Sequence, residues 1–328
     1  MIAYSLLDLV PIVQGGNAGE SLANAADLAA HAEALGYTRY WVAEHHGMPG
    51  IASAATAVVI AHVGAATSTI RIGAGGIMLP NHAPLVIAEQ FGTLDALFPG
   101  RIDLGLGRAP GSDQRVARAL RRTLESSPDA FPQDVLELQS YFADDGQTGI
   151  RSVPGAGANV KLWILGSSTF GAQLAAMLGL PYAFASHFAP DAMEAASAIY
   201  RRDFRPSAVC EKPHLMLGFN VFAADTDSEA EVMATSMQQA FVAIRTGQPI
   251  ELPPPIPGFR DTLGAQGNAM LDHVLQVTAI GGPERVREQI AAFIDRTKPD
   301  ELILTGMIHD HAARKRSFQI AAEVMRGL

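Results

Sequence analysis

The sequence predicts a (β/α)8 barrel, and two observations support this fold class. Short apolar runs of strand length alternate with longer alanine-rich stretches of helical length, which is typical of βα units and a parallel sheet. The alternation occurs eight times, which favours a closed barrel over an open doubly wound sheet. A chain of 328 residues is compatible with one large barrel, so we expect residues 1–328 to form a single domain.

The predicted elements follow from hydrophobic period and from helix breakers. The strands are expected at residues 3–7, 39–43, 70–77, 102–106, 162–165, 183–185, 214–223 and 301–305. The helices are expected at residues 21–35, 52–66, 85–97, 170–178, 191–204, 228–246, 283–296 and 312–325. Helix 52–66 is apolar around nearly its whole circumference, which predicts a homodimer in which this helix is covered by its symmetry mate.

Two insertions interrupt the alternation. Residues 109–159 hold helical patterns of their own and end in a glycine- and proline-rich stretch. Residues 248–268 carry Pro253, Pro254 and Pro255, and so many prolines predict no regular element there. A long loop inside a compact domain is functional or disordered, and we predict that residues 248–268 form a mobile lid over the barrel mouth.

Composition excludes several classes of partner. Hydrophobic residues make up 48% of the chain and charged residues 17%, a balance typical of a globular core. The formal net charge of -9 disfavours nucleic acid and anionic membrane surfaces as partners. The single cysteine, Cys210, allows no intramolecular disulfide and fits a reducing cytoplasm. No apolar run is long enough to cross a bilayer.

Polar and glycine-rich clusters follow most of the predicted strands, where barrel enzymes carry their reactive groups. The clusters are Glu44-His45-His46-Gly47, Gly75-Gly76-Ile77-Met78-Leu79-Pro80-Asn81-His82, Gly105-Leu106-Gly107-Arg108-Ala109-Pro110-Gly111, Gly166-Ser167-Ser168-Thr169, Ser186-His187-Phe188 and His309-Asp310-His311. Together they offer proton transfer, a flat glycine wall and an anion site at a serine-rich helix start. A planar cofactor that carries a phosphate would use all three, and His187 and Phe188 are assigned to the substrate pocket.

Each cluster also has a purely structural interpretation. Adjacent histidines are often a structural pair, the pair Gly75-Gly76 is compatible with a bulge, and Ser167-Ser168 is compatible with a helix N-cap. The run that begins at Gly105 does not fit a dinucleotide fingerprint, because its third glycine is misplaced.

Four segments in this order resemble the bacterial luciferase-like family of flavin-dependent oxidoreductases. They are residues 40–46 (YWVAEHH), 73–84, the Gly-Leu-Gly-Arg turn at 105–108, and 175–181 (AAMLGLP). The similarity extends from Tyr4 to Pro190 and is weaker in the last strand and helix. It implies a monooxygenase that uses reduced FMN and O2 to oxidise a small organic substrate such as an aldehyde. It also implies that a separate reductase supplies the flavin.

The resemblance also assigns roles to single residues. It implies a non-proline cis peptide at Gly75-Gly76 that supports the flavin ring. The residues that match phosphate-binding positions are Arg108, Ser167 and Ser168. His45 matches a catalytic histidine, and Glu44 and His46 match its neighbours in the pocket.

The chain departs from the family pattern at two places. Gly107 lies on the cofactor wall where the luciferase pocket has a reactive cysteine, and residues 130–133 (AFPQ) replace a second phosphate-binding arginine. These departures argue against light emission and for weak FMN binding. The similarity favours FMN over the deazaflavin used by another branch of the family.

Two other functions remain open at this point. One is a metal-dependent barrel hydrolase whose N and O ligands come from the mouth; its candidate ligands are Glu44, His45, His46, His187, His309 and His311. The other is a barrel without a cofactor that serves as a binding subunit. We expect no metal site, because adjacent histidines rarely chelate one ion from a single short loop.

Overall fold

A computed structural model describes residues 2–108, 116, 119–120, 128–143, 145–146 and 149–328. Most of the first half of the predicted insertion 109–159 therefore lies outside the described residues. The strands of the described part are β1 (Ala3–Asp8), β2 (Arg39–Val42), β3 (Arg71–Met78), β4 (Ile102–Gly107), β5 (Lys161–Gly166), β6 (Tyr182–Phe184), β7 (Leu215–Ala223), β8 (Thr278–Gly281) and β9 (Glu301–Thr305).

Helices alternate with these strands along the chain. The α-helices of the described part are α1 (Ala18–Ala34), α2 (Thr56–Ala65), α3 (Pro84–Leu97), α4 (Phe131–Ala143), α5 (Thr169–Leu178), α6 (Met193–Asp203), α7 (Asp227–Arg245), α8 (Ala265–Val274), α9 (Pro283–Thr297) and α10 (His311–Arg326). Short 3₁₀ turns lie at Leu79–Asn81, Pro128–Ala130, Phe259–Thr262 and Leu275–Val277. None of the described helices is long and apolar enough to span a membrane.

The sheet closes into an eight-stranded parallel barrel. Strands β1 to β7 pair in chain order, and β9 lies between β7 and β1. This arrangement confirms the predicted fold, and each of the eight predicted strands matches a barrel strand to within one residue at either end. The additional strand β8, which the sequence did not predict, pairs with the carboxyl-terminal half of β7.

Two expectations about local structure are wrong. Helix α2 begins at Thr56 rather than at residue 52, and Ala55 before it has a non-helical backbone (φ -87°, ψ 65°). The insertion 248–268 does contain regular structure, because a 3₁₀ turn and the first residues of α8 lie within it. Its prolines end at Pro257, and Gly258 with φ +69° turns the chain, so the residues beyond are free to become helical.

Side chains from alternate strand positions fill the lower part of the barrel. At the amino ends of the strands, Arg39 forms ion pairs with Asp103 (2.9 Å) and Glu301 (2.8 Å). His214 donates a 3.0 Å hydrogen bond to the same glutamate. An apolar layer above this network contains Leu7, Trp41, Ala43, Trp163, Ala183, Met216 and Ile303. The barrel is therefore closed at its amino end, and only its carboxyl end is available for a site.

Candidate active site at the carboxyl ends of the strands

A buried carboxylate organises two histidines at the mouth. Glu44, which follows β2 and is 2% exposed, accepts hydrogen bonds at Oε1 from His46 Nε2 (2.7 Å) and His82 Nε2 (2.8 Å). Its other oxygen, Oε2, accepts the backbone N–H of Met78 at 3.2 Å. Burial alone would raise the pKa of Glu44, but the hydrogen bonds from His82, His46 and Met78 lower that pKa below its usual value. Glu44 is therefore ionised at neutral pH, and both imidazoles present an N–H to it.

His45 stands apart from this carboxylate network and lies near His187. Burial lowers the pKa of His45, while the charge of Glu44 opposes that effect. Burial and then the proximity of His45 lower the pKa of His187 to about 4. Both imidazoles are therefore neutral at pH 7, when each can exchange a proton or a hydrogen bond with a bound molecule.

His187 is fixed against β7 and has a free polar atom. A Cβ on Gly218 would come within 2.1 Å of His187 Nδ1, so only glycine at this position leaves room for the imidazole. Asn220 Nδ2 donates a 2.8 Å hydrogen bond to the carbonyl of His187. Within the described residues, the buried Nδ1 atom of His187 has no hydrogen-bond partner. Phe188 follows it and is 53% exposed, so it offers apolar surface at the rim.

Glycines form the wall between these histidines and β4. The peptide between Gly75 and Gly76 is cis, as the family resemblance implies. A Cβ on Gly75 would lie 2.9 Å from side-chain atoms of Leu7 and Trp41, and one on Gly76 would lie 2.5 Å from the carbonyl oxygen of Gly105. The protein's own packing therefore accounts for both glycines.

Gly107 has no such packing reason. Among the described residues, a Cβ at this position would meet only the carbonyl oxygen of Ile77, at 3.8 Å, which is ordinary van der Waals contact. The absence of a side chain at residue 107 thus keeps space open above the end of β4. This open space is the cradle that a flat ligand could fill, which fits the assignment of Gly107 to the cofactor wall.

Arg108 and the start of α5 form a cationic edge of the mouth. The guanidinium carbon of Arg108 lies 4.2 Å from the ring centroid of Phe170, and no carboxylate of the described residues pairs with it. Ser168 is the N-cap of α5, but its side chain makes no capping hydrogen bond, and Ser167 beside it is exposed. Free first-turn N–H groups and an unpaired guanidinium are the donors that bind a phosphate.

Strand register brings these groups together. Met78 of β3, whose N–H binds Glu44, is the partner of Gly107 in β4, and Gly107 is the partner of Leu165 in β5. Arg108 and the serine-rich turn at 167–168 directly follow these partners. The carboxylate network, Gly107 and the cationic edge therefore lie at the ends of four adjacent strands, β2 to β5.

The insertion 248–268 lies against the loops on this side of the barrel. Leu252 is fully buried and exchanges backbone hydrogen bonds with Gln14 N (2.9 Å) and Ile12 O (2.8 Å) in the loop after β1. A Cβ on Gly50, in the loop after β2, would lie 2.5 Å from the carbonyl oxygen of Ile250. The insertion is thus fastened to the loops after β1 and β2.

The six ligands of the alternative metal site are not brought together. His311 pairs with Asp27 at 2.8 Å, and His309 lines a groove of about 610 Å³ at the end of β7. The described carboxylate and imidazole atoms that do converge come from Glu44, His46 and His82. The sequence interpretation did not include His82 among the site residues, although the residue ends the glycine-rich run after β3.

Comparisons with known proteins identify the family of this chain. Residues 5–298 match the family model of luciferase-like monooxygenases. A luciferase-like monooxygenase of Escherichia coli (strain K12) is 51% identical over 328 residues, which cover 100% of this chain and 98% of the relative. The N-acetyl-S-alkylcysteine monooxygenase of Bacillus subtilis (strain 168) is 31% identical and covers 99% of this chain and 98% of the relative.

Solved structures show the same architecture. The structure of apo-MsnO8 has a TM-score of 0.89 at 34% identity and covers 99% of both chains. The oxygenating constituent of 3,6-diketocamphane monooxygenase from Pseudomonas putida, in complex with FMN, has a TM-score of 0.71 at 17% identity, with 98% of this chain and 97% of that chain covered. An F420-dependent secondary alcohol dehydrogenase also has a TM-score of 0.71, at 15% identity, and covers 99% of both chains. From the family model and the relatives that match nearly its whole length, this chain belongs to the luciferase-like monooxygenase family.

Proposed function

We propose that this protein is a monooxygenase that uses reduced FMN and O2 to oxidise a small organic substrate. The observation that carries the proposal is Arg108, which pairs with no carboxylate of the described residues, beside the uncapped start of α5. Together with the open space above Gly107, this edge offers a phosphate site next to a flat cradle. The residues present therefore fit a flavin mononucleotide.

The choice of FMN over F420 is supported by the relatives. The Escherichia coli and Bacillus subtilis proteins are both named monooxygenases, whereas the F420-dependent enzyme shares only the fold, at 15% identity. When bound, reduced FMN supplies the electrons that activate O2, and a deazaflavin is by contrast a hydride carrier. Monooxygenation therefore favours FMN.

Each part of the mouth has a role in this proposal. Arg108 and the first-turn N–H groups of α5 hold the phosphate, and the wall at residues 75–76 and 107 receives the ring. His45, which is neutral at pH 7, exchanges a proton with the reacting molecules at an imidazole nitrogen. Glu44 fixes the ring orientations of His46 and His82 through its two short hydrogen bonds.

The substrate pocket is assigned to the neighbourhood of His187 and Phe188. The half-buried imidazole of His187 can bind a polar atom of the substrate, and the exposed ring of Phe188 can cover its apolar part. Small aldehydes and thioethers have both features. The N-acetyl-S-alkylcysteine monooxygenase among the relatives makes thioethers the first compounds to try.

We further propose that a separate reductase supplies the reduced flavin. The run after β4 does not fit a dinucleotide fingerprint, because Arg108 follows where a helix would have to begin. This mismatch, together with the family resemblance, supports delivery of the reduced flavin by a separate enzyme.

The proposal is tested by isotope labelling. Anaerobically reduced FMN, the protein and a panel of aldehydes and thioethers are mixed with ¹⁸O₂, and the products are analysed by mass spectrometry. We expect one ¹⁸O atom in the product. His45→Ala should slow turnover while leaving FMN affinity nearly intact, and His273→Ala, on the exposed end of α8, is the matched control. A product whose new oxygen comes only from water would contradict a monooxygenase.

A further inference from the structure

The network of Glu44, His46 and His82 has a feature that the flavin reaction does not explain. Glu44 is a buried carboxylate, and no lysine or arginine of the described residues pairs with it. Buried carboxylates are usually paired with a cation or coordinate a metal ion. In this network its hydrogen-bond donors are the two imidazoles and the backbone N–H of Met78.

The three side chains converge on one point. His46 Nε2 and His82 Nε2 both lie within 2.8 Å of the same oxygen, Glu44 Oε1, and one ligand atom from each residue lies within 4.8 Å of the other two. The imidazole planes are inclined by 49° with centroids 6.3 Å apart, so the rings approach from different directions. Two imidazole nitrogens and one carboxylate oxygen are the ligand set of many catalytic zinc sites.

We propose that Glu44 Oε1, His46 Nε2 and His82 Nε2 form a binding site for a divalent transition-metal ion such as Zn²⁺. Each imidazole turns an Nε2 lone pair to the ion and carries its proton on Nδ1. The proposal goes beyond the flavin reaction, since the ion needs no flavin to bind.

The required movement is small. In a tetrahedral site with bonds of about 2.1 Å, ligand atoms stand about 3.4 Å apart. The nitrogens, now 2.7 and 2.8 Å from Oε1, would have to withdraw by roughly 0.6 to 0.7 Å. Both histidine side chains are partly exposed, His46 at 15% and His82 at 25%, so the ion has access.

The carboxylate is prepared for this role by its surroundings. Glu44 Oε2 is held by the backbone N–H of Met78, which leaves Oε1 directed at the two imidazoles. Hydrogen bonds of this kind to the non-coordinating atom orient a ligand and support metal affinity. With three protein ligands, a tetrahedral ion keeps one position for water.

Binding has a consequence for the proposed oxygenation, and this part of the inference depends on that function. The ion would replace the two hydrogen bonds to Glu44 and would lie beside His45. We expect Zn²⁺ to inhibit flavin-dependent turnover reversibly, with activity restored by a chelator.

The test is calorimetric titration of ZnCl₂ into metal-free, untagged protein without flavin. The wild type should bind one Zn²⁺ per chain, and Co²⁺ in its place should give the intense visible absorption of a tetrahedral site. His82→Ala and His46→Ala each remove a direct ligand, so each should lose more than the roughly 10- to 100-fold that loss of a supporting hydrogen bond costs. His62→Ala, an exposed histidine on α2, is the matched control and should bind as the wild type does.

The outcomes separate this inference from the proposed function. Zn²⁺ binding of wild-type affinity in His82→Ala, or none in the wild type, overturns the metal site. Circular dichroism checks that each variant folds. If His46→Ala is unfolded, the variant His82→Ala, at the more exposed of the two histidines, decides the result. If the protein binds FMN but no Zn²⁺, only the metal site is refuted. If it binds Zn²⁺ but no FMN, only the flavin proposal is refuted.

Discussion

The guanidinium carbon of Arg108 lies 4.2 Å from the centre of the Phe170 ring, and this contact holds the arginine at the mouth without neutralising it. Stacking on an aromatic face leaves the N–H groups at the guanidinium edge available. Phe170 itself belongs to the first turn of α5. The charged group and the helix start are thus held together before any ligand arrives.

Arg108→Ala should therefore weaken FMN binding. Loss of one charge-assisted hydrogen-bonding group costs roughly 1.5–3 kcal/mol, or about ten- to a hundredfold in the dissociation constant. Fluorescence titration of FMN measures the change. Arg202→Ala, whose side chain is exposed and paired with Asp203, should bind FMN as the wild type does. An unchanged dissociation constant for Arg108→Ala would place the phosphate elsewhere.

Gly105 and Gly107 provide a matched pair of alanine substitutions. A Cβ at Gly105 would lie 2.3 Å from Leu165 Cδ1 and 2.5 Å from the carbonyl oxygen of Ala74, so Gly105→Ala should destabilise the barrel by roughly 1–3 kcal/mol. Gly107→Ala should fold normally, because its Cβ has space, yet weaken FMN binding. Thermal unfolding and FMN titration of both variants separate the effects. Normal FMN affinity in Gly107→Ala would show that the cofactor does not use this space.

The homodimer prediction can now be tested at the right residue. Val59 of α2 is buried in the core at 4% exposure, whereas Val58 is 70% exposed. Val58→Glu should convert a dimer into a folded monomer in analytical ultracentrifugation, because a charge in an apolar interface is not solvated. Val59→Glu should instead unfold the chain. A wild type that sediments as a monomer at micromolar concentration would contradict the prediction.

Residues 248–268 remain predicted as a lid, and Leu252 is the point at which to loosen it. Leu252→Ala removes a buried side chain, so it should destabilise the fold by about 2–5 kcal/mol and loosen the packing of the segment on the loop after β1. We expect more hydrogen peroxide per flavin oxidised, since water would reach the site. Ile256→Ala, at a residue that is 44% exposed, is the control. An unchanged yield of hydrogen peroxide per flavin oxidised in folded Leu252→Ala would show that the segment does not guard the reaction.

The charge network at the closed end of the barrel predicts an acid limit to stability. Burial alone would raise the pKa of Glu301, but hydrogen bonds from His214 and Arg39 and the charge of Arg39 lower it from 4.5 to about 2. A lowered folded-state pKa stabilises the fold above the unfolded value, and this contribution is lost as pH falls from about 4.5 to about 2.

This contribution amounts to roughly 3 kcal/mol. Denaturant unfolding between pH 6 and pH 2 should show a steeper loss of unfolding free energy for the wild type than for Glu301→Gln. The exposed Glu284→Gln should behave as the wild type does. If the unfolding free energy falls equally steeply with pH in all three proteins, Glu301 is not the cause of the acid destabilisation.

The sequence predicted the barrel strands well because these strands are buried on both faces. Such strands read as continuous apolar runs between breakers, and all eight could be recognised. Strand β8, Thr278–Gly281, is only half-buried at alternate residues, so it does not read as a continuous apolar run. The prolines before Gly258 likewise concealed the helix that begins at Ala265.

The candidate site was predicted only in part, because contacts across strands depend on register. The partnership of Glu44 with His82, which lies 38 residues further along the chain, requires the pairing of β2 with β3 and the turn after Met78. The apolar circumference of helix 52–66 similarly gave no sign of which valine faces outward. That distinction needs the packing of α2 on the barrel.

The most direct test of the proposed flavin site is a parallel titration of the protein with FMN and with F420, followed by difference absorption spectroscopy. We expect a saturable change with FMN at one molecule per chain, weakened in Arg108→Ala, and no comparable change with F420. A saturable change with F420 alone would contradict the choice of cofactor, and no change with either would contradict the flavin site itself.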